Sequence, residues 1–151
     1  MKTTILSILL AFLSITGLQA QSKVFQNEHG VALGGYDLVA YFSQFEAVEG
    51  EARYASQHDG VTYHFSSEAN QAAFEAHPDK YLPEFGGFCA YGVAIGSPDV
   101  PVNPETFKIR DGKLYFFFNG IHKGEPMNTV IPWNSDEKAL LEAAETNWEK
   151  L

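Results

Sequence analysis

His64 and Cys89 are the side chains of this 151-residue chain best suited to chemistry. A neutral imidazole ligates metals and carries protons near neutral pH. A thiolate is a soft ligand and a strong nucleophile. Together they make either two ligands of a metal site or the smallest pair for nucleophilic catalysis. Tyr36 and Asp37 follow the glycine pair Gly34-Gly35, where backbone approaches a ligand closely. Tyr63 precedes His64 and offers a hydroxyl. Each has a plainer alternative. Cys89 is the only cysteine, so it forms no internal disulfide, and its neighbours Phe88, Ala90 and Tyr91 suit a buried small hydrophobe. His64 suits a hydrogen-bonded residue at a strand–helix junction. Asp37 suits a turn residue bonding nearby amides, and tyrosines at this density suit a core. The remaining histidines, His29, His58, His77 and His122, have no regular spacing, so a closed four-ligand zinc site is not expected. No G-x-S-x-G, phosphate loop, H-E-x-x-H or dinucleotide fingerprint is present.

The elements that must position these residues read as α+β, with antiparallel β-hairpins packed against two or three helices, including a C-terminal helix. Residues 31–42 break at Gly34-Gly35 and continue as a short strand or helical turn; residues 43–51 look like loop. Residues 53–65 form a hairpin around Asp59-Gly60. Strand alternation puts Val61, Tyr63 and Phe65 on one face and Thr62 and His64 on the other. Ser66-Ser67 then caps a helix with Glu68 in its first turn, ended by Pro78. The run GGFCAYGVAI over residues 86–95 is a buried helix or irregular backbone. Residues 97–104 hold three prolines and read as loop. Residues 107–118 form a second hairpin around Asp111-Gly112. Leu114, Phe116 and Phe118 alternate with Tyr115 and Phe117, so that strand is covered on both faces. A final helix spans residues 135–151, with Asn134 and Glu137 as a capping box and Leu141, Ala144, Trp148 and Leu151 on one face.

The start of the chain reads as an export signal. Lys2 is basic, residues 5–13 are almost all apolar, and Leu18-Gln19-Ala20 offers a small-residue exit. Residues 1–20 are then a signal peptide and residues 21–151 a single domain, periplasmic or secreted, with no stable membrane insertion after cleavage. Residues 21–151 carry 9 basic and 19 acidic side chains, a net charge of −10. So acidic a chain repels phosphate backbones, which excludes nucleic acid as a partner.

Tyr63-His64-Phe65-Ser66, the helix carrying Phe74, and Pro78-Asp79-Lys80-Tyr81-Leu82 resemble the YHS domain family. Gly35-Tyr36-Asp37, Val39-Ala40-Tyr41-Phe42, Gly86-Gly87-Phe88-Cys89-Ala90-Tyr91, Asp111-Gly112-Lys113-Leu114-Tyr115 and Asn147-Trp148 resemble its exported bacterial single-domain branch. The resemblance implies association with metal, copper in particular, through a cysteine pair flanking the helix start. Here Ser66, Ser67 and Asn70 stand at those places, so that thiolate site does not carry over. The soft donors left after the cut are Met127 and Cys89, which does not suit a methionine-rich copper carrier. The expectation is an exported YHS-like binding module holding a metal ion, such as copper, or a small ligand near His64 and Cys89, with Tyr36, Asp37 and Tyr63 lining the site. The alternatives are a small enzyme using the Cys89 thiol with a histidine base, and a structural or partner-binding domain without a small-molecule site.

Overall fold

In the computed structural model, which describes residues 23–151, each of three hairpins turns on a residue pair with positive φ. The expected export segment lies outside the described residues. Strands β1 (Glu51–His58) and β2 (Val61–Phe65) meet at Asp59-Gly60. Strands β3 (Asn103–Arg110) and β4 (Lys113–Phe117) meet at Asp111-Gly112. Both turns need left-handed backbone at two positions, which aspartate tolerates and glycine adopts freely. A third hairpin, β5 (Asn119–His122) with β6 (Glu125–Asn128), turns on Lys123-Gly124 and was not expected from the sequence. Its four-residue strands are too short to show alternation, and Pro126 breaks the strand-like pattern.

Five α-helices occur among the described residues: α1 (Leu38–Ser43), α2 (Glu68–Ala76), α3 (Ala90–Ala94), α4 (Val130–Ser135) and α5 (Glu137–Trp148). The α+β expectation with hairpins and a C-terminal helix stands. The ambiguous stretch after Gly34-Gly35 becomes helix because Asp37 caps it, its carboxylate accepting from the Val39 and Ala40 amides. Ser67 caps α2 by accepting from the Asn70 amide, as its position before the apolar stripe predicts.

Three details differ from expectation. Asn103 and Pro104 lie in β3, not in a loop. Proline is tolerated there because, among the described residues, β3 pairs only with β4 and the register shifts between Asn103 and Phe107. Asn134 and Glu137 do not form a capping box: position 136 precedes α5, and Lys108 Nζ instead bonds Asn134 Oδ1 at 2.8 Å and Glu137 Oε1 at 2.6 Å. Leu151 lies beyond the helix end and is exposed, whereas Ala144 is buried and Leu141 and Trp148 pack on the core.

The core has two parts, and β4 separates them. Leu114 and Phe116 join Leu33, Leu38, Tyr41, Val61, Tyr63, Phe65 and Phe74 on one side. Tyr115 and Phe117 join Phe85, Val93, Trp133 and Ala144 on the other. The doubly apolar pattern of β4 thus has the expected consequence. Burying each of these large side chains contributes about 1.5–3 kcal/mol.

Candidate functional site

Asp37 sits where the end of β2 and the start of α2 meet the first turn of α1. It is wholly buried. Its Oδ1 accepts from Val39 N at 2.9 Å and Ala40 N at 3.2 Å. Its Oδ2 accepts from Ser66 N at 2.8 Å, Ser66 Oγ at 2.6 Å and Asn70 Nδ2 at 2.7 Å. Five donors on one carboxylate satisfy a charge that would otherwise be expensive to bury. Asp37 therefore ties α1 to the β2–α2 junction. Ser66 and Asn70, at the places where the resemblance puts thiolates, are hydrogen-bond donors to this carboxylate.

His64 points to the other face of β2, away from Phe74, and is half-buried. Its ring lies against Gly35: a Cβ built at Gly35 would stand 3.3 Å from Nδ1. Gly35 has φ of +97°, so a side chain there meets both backbone strain and the imidazole. The Gly50 amide bonds the Gly35 carbonyl at 2.8 Å, and a Cβ at Gly50 would meet the His64 carbonyl carbon at 2.5 Å. Two glycines thus close over the backbone and ring of His64. The imidazole makes no hydrogen bond to any described residue, while its edge remains open to solvent.

Tyr36, the residue after Gly35, is half-buried and pairs through its backbone with Glu49. Loss of solvent, then the Glu49 and Glu105 carboxylates, push its phenol above the ordinary value. Tyr63 faces the core instead, 5.0 Å from the Phe74 ring, and burial pushes its phenol up to about 12.

Cys89 is elsewhere. It is wholly buried, pairs through its backbone with Phe116 of β4, and stands at the start of α3. Its Sγ accepts from Gly92 N at 3.4 Å and lies 3.4 Å from Thr129 Oγ1. Thr129 Oγ1 donates to the Phe118 carbonyl at 3.2 Å, which leaves the thiol as the donor to Thr129. The partners of His64 and of Cys89 have no residue in common. Among the described residues no three His, Cys, Asp or Glu side chains are grouped to hold a metal. No described helix is long and apolar enough to cross a membrane.

One concavity escaped the sequence reading. A cavity of about 310 Å³ lies between the segment after α3 and the β5–β6 hairpin, lined by Ile95, Asp99, Val100, His122, Lys123 and Met127 among others. Its residues come from two segments that look like loop, so no motif marks them.

Comparison with curated proteins and with solved structures returns no match. A family model does match: that of the YHS domain, over residues 41–84. This span runs from Tyr41 in α1 through β1, β2 and α2. The match supports the YHS domain family for the segment that holds His64, Ser66 and Asn70.

Proposed function

We propose that this chain is an exported binding module of YHS type that takes a metal ion or small ligand at the open edge of His64. The carrying observation is the state of that imidazole. It is packed against Gly35, only partly buried, and bonded to no described residue. Asp37 and Tyr63, named with it from the sequence, are committed to the helix cap and the core. Tyr36 follows Gly35 in the chain, and its phenol pKa is raised by burial and by the Glu49 and Glu105 carboxylates. A single imidazole with no grouped His, Cys, Asp or Glu partners among the described residues suits an open, exchangeable site better than a closed structural one. A ligand reaching both His64 and Cys89 must first break the thiol's bonds to Thr129 and Gly92. The apolar run after Lys2 supports export of the module.

The test is metal content and thermal stability of protein purified without a histidine tag. Stoichiometric copper, zinc or iron, lost in His64→Ala with unchanged circular dichroism, supports the reading. Protein that holds no metal and gains no stability from any of the three sinks it.

A further inference from the structure

The cavity between the α3 exit and the β5–β6 hairpin has the makings of a second, separate site. Its volume of about 310 Å³ is at the small end of what ligand pockets occupy, enough for a metabolite of modest size and much too wide for a bare ion. Its lining is mixed. Ile95, Val100 and Met127 give an apolar wall. Asp99 and Lys123 bring opposite charges to the same opening, yet no ion pair joins them, and neither is paired with another described side chain. Two opposite charges that border one cavity without meeting are complementary to a molecule carrying both signs.

A second observation concerns the turn that presents the lysine. The three hairpin turns share one geometry, with φ of 48° at Asp59, 52° at Asp111 and 51° at Lys123, each followed by a left-handed glycine. Aspartate is at home in that region because its short side chain bonds locally; lysine is not. The hairpin that borders the cavity is the one that departs from aspartate, and the residue put there is a lysine that lines the cavity. His122, the residue before, lines the same cavity with its ring held edge-on to Phe118 at 6.1 Å between centroids.

We infer that this cavity binds a free α-amino acid with an apolar side chain: its ammonium at Asp99, its carboxylate at Lys123, and its side chain against Ile95, Val100 and Met127. No covalent step is involved. The pairing with a charged group at each end supplies selectivity, because a derivative lacking either charge makes one ion pair in place of two.

The experiment is a titration of the protein with L-leucine, followed by amide chemical shifts, with leucinamide and N-acetyl-leucine as probes lacking one charge each. Expected are saturable shifts confined to residues 95–100 and 121–127. Each singly charged probe should bind about two- to fivefold more weakly, as expected for the loss of one exposed ion pair. Asp99→Asn and Lys123→Gln, both at exposed positions, should each weaken leucine by a similar factor while melting as the parent does. No saturable shifts, shifts centred elsewhere, or equal binding of leucine and its two derivatives would each overturn the assignment.

Discussion

Replacing Asp37 by alanine tests the buried carboxylate most directly. The substitution removes the acceptor of five hydrogen bonds at once. Loss of the α1 cap costs about 1 kcal/mol. The Ser66 amide, left without an acceptor beside a wholly buried site, costs about 2 kcal/mol more. Ser66 Oγ and Asn70 Nδ2 belong to half-buried residues and can turn to water, so they add little. The sum is about 3 kcal/mol, a large share of the 5–15 kcal/mol that typically holds a protein folded. For a domain of this size that lowers Tm by roughly 10 °C. Asp37→Asn separates the two halves of the effect. It keeps the cap oxygen but turns an amide NH₂ toward three donors, and should lose about 2 kcal/mol. Urea unfolding at neutral pH measures both, and a double-mutant cycle with Asn70→Ala should show coupling of about 1 kcal/mol or more. A loss below about 1 kcal/mol for Asp37→Ala, or an Asn variant as stable as the parent, would refute the claim that this carboxylate ties α1 to α2.

Three more outcomes are expected. Tyr63 and Tyr115 are held at about 12 by burial, so their neutral forms stabilise the fold fully below the unfolded value near 10, and that contribution disappears as pH rises through 12. The ultraviolet phenolate titration of the folded chain should accordingly lag behind that of the chain in denaturant. Glu137 is held below its ordinary value, first by the Lys108 hydrogen bond and also by Trp133, so its contribution is present above about 4.5 and lost as pH falls through the lowered value. Glu137→Gln should flatten the acid limb of a stability–pH curve while leaving its alkaline limb alone. Cys89 should resist alkylating reagents at the rate of global unfolding, since its thiol is wholly buried and bonded to Thr129; fast modification in native buffer would contradict that placement.

What the sequence discloses depends on the range of the interaction. Asp59-Gly60 and Asp111-Gly112 announce their hairpins because the turn conformation is decided by the two residues themselves. Ser67 and the alanine stripe announce α2 for the same reason. Lys123-Gly124 makes an identical turn but lacks the aspartate signal, and Pro126 hides the strand behind it. The local role of Asp37, bonding amides two and three residues on, is legible. Its bonds to Ser66 and Asn70 cross 29 and 33 residues, and the packing of α2 against α1 brings them about. Likewise, nothing local separates a free imidazole at His64 from a buried thiol at Cys89. The first lies over Gly35 and the second against β4, and both neighbours are distant in the chain.

Because β4 is apolar on both faces, the segment that matches the YHS model cannot complete its own interior. Phe65 and Phe74 lie within residues 41–84, but Leu114 and Phe116, which close the same cluster, come from outside it. The next residues of that strand, Tyr115 and Phe117, seal the opposite cluster against Trp133. One short strand is thus a party wall between two rooms, and neither room stands if it is removed. The two halves must melt together as one cooperative unit, and an excised 41–84 fragment would expose a sticky face where β4 had been.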